Sequence, residues 1–179
     1  GTGTTTDIWV VKLNNSGALQ WQKSLGGVGR DFIASIGITT DHGVIIAGKS
    51  DSTSGDVTGN HGGDDGWVVK LNSNGIPEWQ YNPSVILGGG DYEDIFNAIQ
   101  QTHDGGYIIA GYSLSNNVNM MIIHGMVDAW LVKLNSSGTL QWEKYFGGTN
   151  EDIFNKVRPT TDGGFILVGE STSDNGDLT

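Results

Sequence analysis

The sequence predicts an all-β chain made of tandem four-stranded antiparallel units. Three observations predict it. The pattern Asp-x-Trp-x-Val-Lys-Leu-Asn-x-x-Gly is written three times, at 7–17, 65–75 and 128–138, and each copy ends at a second Trp twelve residues after the first. Glycine is abundant (29 of 179) and charged residues are few (16%), which suits short strands joined by tight turns. No long segment shows apolar residues at helical period, and glycine interrupts every candidate.

Each unit reads as four strands. In the first they are Ile8 to Leu13, Ala18 to Leu25, Phe32 to Thr39 and Val44 to Lys49. Between the first two, Asn14-Asn-Ser-Gly17 is a polar turn whose glycine suits a left-handed residue. Gly26-Gly27 breaks the chain after the second strand. The third and fourth strands are joined by Thr39-Thr-Asp-His-Gly43, which returns as 102–106 and 160–164, where Asp104-Gly105 and Asp162-Gly163 are hairpin signals. The fourth strand, Val44-Ile-Ile-Ala47, is continuously apolar, as expected of a strand covered on both faces.

Aligning the copies gives units 1–58, 59–121 and 122–179, the second being five residues longer because of a larger loop after Trp79. A unit of this length cannot bury its own apolar faces and must stack on neighbours. Four-stranded antiparallel sheets stacked in tandem are propeller blades. Three blades are too few to close a ring. The expectation is therefore a partial propeller, completed by further repeats of the same chain or by copies assembled head to tail. Matching tryptophans are expected in like surroundings.

Formal net charge is −11, from nine Lys and Arg against twenty Asp and Glu. That balance lacks the basic face that nucleic-acid binding or an anionic membrane surface needs. No apolar run is long enough to span a bilayer as a helix. Cysteine is absent, which excludes thiol catalysis, disulfides and thiolate metal ligands.

Residues repeated in every unit are expected to make the same structural bond in every unit. These are Asp7, Asp65 and Asp128; Asp31, Asp94 and Asp152; and the pairs Trp9 and Trp21, Trp67 and Trp79, Trp130 and Trp142. Lys12, Lys70 and Lys133 invite an ion pair with a repeated Asp that the sequence leaves open. A catalytic site should break the pattern, and no unique acid–base cluster does, so no catalytic residue and no cofactor is expected. The loop after the fourth strand is rich in oxygen donors, with Asp56, Asn60 and Asp64 in one copy and Asp174 and Asp177 in another. These are candidate calcium ligands, although their spacing does not match an EF-hand. The four His show no metal-ligand spacing. The largest departure from the repeat is the apolar run holding Met120, Met121, Ile122 and Ile123, which is either an interface or core.

The whole unit, with its Trp pair, its Gly-Gly and Asp, and its Thr-x-Asp-Gly-Gly-x-Ile-x-Ala-Gly ending, resembles bacterial β-propeller repeats of the SBBP type over essentially all 179 residues. The resemblance implies a secreted or cell-surface protein of Bacteroidetes-like origin. The blades also resemble those of quinoprotein dehydrogenases, but the cysteine pair found in many of those enzymes is missing here. The function expected is a non-enzymatic scaffold for protein interaction, adhesion or surface assembly. The alternatives are a carbohydrate-binding propeller, with Trp or Tyr exposed between blades, and a segment of a propeller enzyme whose site lies elsewhere.

Overall fold

The computed structural model describes residues 5–60, 63–83, 93–114 and 125–177, and every regular element among them is a β-strand. In chain order these are β1 (Ile8–Leu13), β2 (Leu19–Leu25), β3 (Asp31–Ile38), β4 (Val44–Ser50), β5 (Asp65–Leu71), β6 (Pro77–Tyr81), β7 (Asp94–Gln101), β8 (Tyr107–Ser113), β9 (Asp128–Leu134), β10 (Leu140–Phe146), β11 (Asp152–Pro159) and β12 (Phe165–Ser171). The four strands expected in the first unit lie within one residue of β1 to β4.

The hydrogen-bonded sheets differ from the expected ones. There are two four-stranded antiparallel sheets, β3-β4-β5-β6 and β7-β8-β9-β10, flanked by two hairpins, β1-β2 and β11-β12. Each full sheet joins the second half of one unit to the first half of the next. The units 1–58, 59–121 and 122–179 are therefore two strands out of phase with the sheets. The reason lies in the connections. The Gly26-Gly27 segment carries the chain from β2 into the next layer, so β2 and β3 share no ladder. The longer loop after β4 returns to the same layer, where β5 pairs with β4 from Val44↔Leu71 to Ser50↔Asp65. The same register joins β8 to β9, from Tyr107↔Leu134 to Ser113↔Asp128.

The layers stack in order: hairpin β1-β2, sheet β3–β6, sheet β7–β10, hairpin β11-β12. Three apolar clusters fill the three gaps. Ile8, Val10 and Leu25 meet Val44, Ile46, Trp67 and Val69 in the first. Ile45, Ala47 and Val68 meet Phe96, Ile99, Trp130 and Val132 in the second. Ala98, Ile108, Ala110 and Leu131 meet Val157, with Phe154 and Leu167 alongside, in the third. β7 packs against β3 and β4, and β11 against β7 and β8, while β6 and β10 on the outside make no comparable approach. A register shift recurs in each inner strand, between Ile33 and Ser35, Phe96 and Ala98, and Phe154 and Lys156. Bulges of this kind sharpen the local twist.

Local chemistry repeats with the sequence. The turn glycines Gly17, Gly75 and Gly138 all adopt φ near 80° (79°, 77° and 80°). The side-chain oxygen of Asn14 closes its turn by accepting the N–H of Ser16 at 3.0 Å and of Ala18 at 2.9 Å, and Asn135 does the same for Ser137 and Thr139. The first Trp of each copy donates its ring N–H to the side chain thirteen residues on: Gln22, Gln80 or Glu143. Their surroundings are nevertheless unlike. Trp67 and Trp130 are each 2% exposed, whereas Trp9 is 70% exposed, because among the described residues β1 pairs with β2 alone, where β5 and β9 are also flanked by β4 and β8.

Candidate functional site

Two lysines form the most elaborate polar sites. The ammonium of Lys70 donates to Asp41 at 2.8 Å, to Glu78 at 2.9 Å and to the Leu71 carbonyl at 3.0 Å. Lys133 repeats this with Asp104 at 3.0 Å, Gln141 at 3.1 Å and the Leu134 carbonyl at 3.0 Å. Each acceptor Asp belongs to the hairpin turn of the preceding unit, where it also takes the hydroxyl of Thr39 or Thr102 and the N–H of Gly43 or Gly106. The Thr102 hydroxyl, then Lys133, pull Asp104 down to about 2, and the Lys70 ammonium, then the Thr39 hydroxyl, hold Asp41 well below the carboxylate range. Burial works to lower Lys70, but its two carboxylate partners outweigh that and the net direction is upward. A lysine kept charged and sealed in this way is an anchor between turn and strand, not a base. The partner Asp is in neither of the two repeated sets singled out from the sequence. The usable signal was the Thr-x-Asp-x-Gly turn present in all three units.

At the ends of the stack the same site is split. Asp162 accepts the Thr160 hydroxyl and the Gly164 N–H at 3.2 Å, but no lysine reaches it among the described residues. Lys12 has no such turn beside it and donates instead to the Ser73 carbonyl at 3.2 Å. A methyl group added at Gly43 or Gly106 would run into the lysine ammonium and a strand carbonyl; at Gly164 it would meet only its own turn.

The repeated aspartates hold turns together. Asp31 accepts the hydroxyls of Ser50 and Ser52 and the N–H of Gly27, and Asp152 accepts those of Ser171 and Ser173 and the N–H of Gly148. Asp7 accepts the Ser24 hydroxyl at 3.2 Å, and Asp65, Asp94 and Asp128 are buried. Of the candidate calcium ligands, Asp64 is paired with Lys49 at 2.5 Å, Asp56 lies 3.7 Å from Lys23, the Asn60 amide donates to the Ser50 carbonyl and Asp177 accepts the Gly147 N–H. Asp174 is exposed. Among the described residues no group of three or more His, Asp or Glu could hold a metal ion. Met120, Met121, Ile122 and Ile123 lie outside the described residues.

The second Trp of each copy is half-buried. Trp21 and Trp79 lie flat on the next unit's turn glycine, Gly75 or Gly138, where only a hydrogen fits. Trp79 also meets Tyr107 edge-on at 5.3 Å, and Trp142 meets Phe165 at 6.1 Å. Glu143 departs from the Gln of the other copies. Burial among aromatic rings raises its carboxyl, partly offset by the N–H of Trp130. Burial likewise raises its neighbours Tyr81 and Tyr145.

The remaining feature is apolar exposure concentrated on three strands. On β1, Trp9, Val11 and Leu13 are exposed; on β3, Ile33, Ile36 and Ile38; on β12, Ile166 and Val168. Beside β12 an open cleft of about 280 Å³ is lined by Ala129, Phe146, Phe154 and Gly169. In the central sheet the corresponding row runs Phe96↔Gly111↔Trp130↔Tyr145, with Phe96 and Trp130 stacked at 5.0 Å over the bare Gly111.

No family model and no curated protein matches this chain. It is similar to a crystal structure, at 1.35 Å resolution, of a protein of unknown function from Bacteroides caccae. The TM-score is 0.45 and the identity 11%, over 87% of this chain and 44% of that one. The chain thus spans less than half the length of that structure.

Proposed function

We propose that this chain is a segment of a β-propeller acting as a non-enzymatic interaction scaffold, one that works by holding a rigid curved stack and docking through its end faces. The observation that carries this is how neighbouring layers meet: β7 lies against β3 and β11 against β7, while β6 and β10 stand apart. Sheets arranged in that way turn about a common axis, as blades do. The polar groups of the repeat support the non-enzymatic part, since each engaged Asp and Lys makes the same structural bond wherever its copy is complete. A secreted or cell-surface setting rests on the resemblance of the repeat alone.

Spin-label distances within a single chain test the stacking. Labels on β2, β6 and β10 should lie clearly farther apart from layer to layer than labels on β3, β7 and β11. Equal inner and outer spacings would mean a flat stack and would overturn the propeller. Amide exchange tests the docking faces: β1 and β12 should exchange fast in dilute chain and slow on assembly, whereas β4, β5, β8 and β9 should be slow throughout.

A further inference from the structure

We infer that the two end hairpins are the halves of one blade, and that for the 179-residue chain by itself a second copy supplies the missing half, closing a two-fold ring of six blades. The inference rests on the propeller reading above and adds the partner, the register and the contacts.

The register follows from the two complete sheets. The pairing of β4 with β5 and of β8 with β9, carried along by one repeat, sets β12 of one copy antiparallel to β1 of the other, from Phe165↔Leu13 through Val168↔Val10 and Gly169↔Trp9 to Ser171↔Asp7. Both strands are edges among the described residues. Four independent features then find their counterparts. Trp9 enters the cleft beside Gly169 and stacks on Phe154, as Trp130 stacks on Phe96 over Gly111. Lys12 reaches Asp162, as Lys70 reaches Asp41 and Lys133 reaches Asp104. Trp142 covers Gly17, where an added Cβ would meet nothing within 4 Å, as Trp21 covers Gly75 and Trp79 covers Gly138. Ile166 and Val168 cover Ile33 and Ile36, as Ile45 and Ala47 cover Phe96 and Ile99.

The exposures measure what is missing. Ile36 is 54% exposed and Val168 63%, while their central equivalents Ile99 and Ala110 are both at 0%. An open row of strand N–H and C=O groups beside exposed apolar side chains is a template for one further strand of matching pattern. Each copy brings two full sheets and two half sheets, so two copies make six blades, within the range of closed propellers. The contact is isologous: β12 of each copy meets β1 of the other.

Sedimentation equilibrium on the 179-residue chain should give twice its 19.0 kDa mass. K12D and D162K, both changes to side chains outside the core, should each weaken the dimer by about tenfold or more in Kd, because like charges then face each other at two junctions. Combining them in one chain should restore it. The protein has no cysteine, so Val10→Cys with Val168→Cys should form a covalent dimer on oxidation, whereas Lys12→Cys with Val168→Cys should not. A 19.0 kDa species at every concentration, an assembly larger than two copies, or a dimer without the in-register cross-link would each overturn the two-fold ring. The spin-label distances within one chain would still report on the propeller separately.

Discussion

The centre and the ends of this stack are written in the same residues and are in different physical states. Trp130 and Trp9 occupy one position of the repeat; Trp130 is sandwiched between Phe96 at 5.0 Å and Tyr145 at 5.8 Å, while Trp9 stands in solvent. Lys133 is sealed with its carboxylate, and Lys12 leans on the Ser73 carbonyl while the matching Asp162 stands at the other end of the stack. Burial here is thus a property of neighbours, not of residue type. A unit of this repeat specifies half of its environment and leaves the other half to whatever lies alongside.

The largest expected effect breaks that comparison directly. Trp130→Ala should destabilise the fold by about 3–5 kcal/mol, the usual loss for removing a large aromatic from a packed core. Trp9→Ala, measured by denaturant unfolding in chain dilute enough to be monomeric, should change stability by less than about 0.5 kcal/mol, as surface substitutions do. Equal losses at the two sites would mean that Trp9 is covered within a single chain.

The lysine sites sharpen the contrast at a smaller scale. Asp104→Asn leaves the buried Lys133 with only neutral acceptors and should destabilise by about 1–3 kcal/mol at neutral pH. Asp162→Asn in the single chain should do almost nothing, because no lysine meets Asp162 there. The pH dependence has a fixed sign. Asp104 is depressed in the fold, so its contribution is complete above its ordinary value of 3.8 and is lost as pH falls towards about 2. Thermal melts of native chain and Asp104→Asn should therefore diverge above pH 4 and converge near pH 2.

Glu143 is the reverse case. Burial raises its carboxyl, so the fold favours the protonated form, and any contribution present below its unfolded value is lost as pH rises. Gln does the same work beside Trp67, accepting the indole N–H at 3.0 Å without a charge. Glu143→Gln should thus raise the melting temperature at pH 7 and leave it unchanged at pH 3, where both side chains are neutral.

Much of the fold was legible in the sequence because strand and turn chemistry is local. Short β-branched and aromatic runs, one of them continuously apolar, marked the strands, and Asn-x-x-Gly with Asp-Gly marked the turns. The partition into sheets was not legible, since a repeat has no inherent starting point. Whether β4 joins β3 alone or also β5 depends on where a connection of fourteen residues, 51–64, returns, and nothing in its composition says so. The lysine partner was missed for a similar reason. Asp41 and Asp104 look like ordinary turn residues, and only the β4-β5 and β8-β9 registers bring Lys70 and Lys133 over them. The end faces were invisible because Trp9, Val11 and Leu13 read as core in every copy.

The smallest expected effect concerns a turn where one copy departs from the other two. The residue after the turn Asp is Gly105 at φ 78° and Gly163 at φ 88°, but in the first unit it is His42 at φ 63°. A residue with a Cβ in that region carries a penalty of roughly 1–2 kcal/mol. Glycine escapes it but loses roughly 0.5–1 kcal/mol of chain entropy on folding. His42→Gly should therefore stabilise the chain by at most about 1.5 kcal/mol. The gain should survive at any protein concentration, because this turn contributes nothing to the β1 and β12 edges. A gain that grew with concentration would place the Thr39–Gly43 turn in the contact between copies and would redraw the boundary between centre and ends.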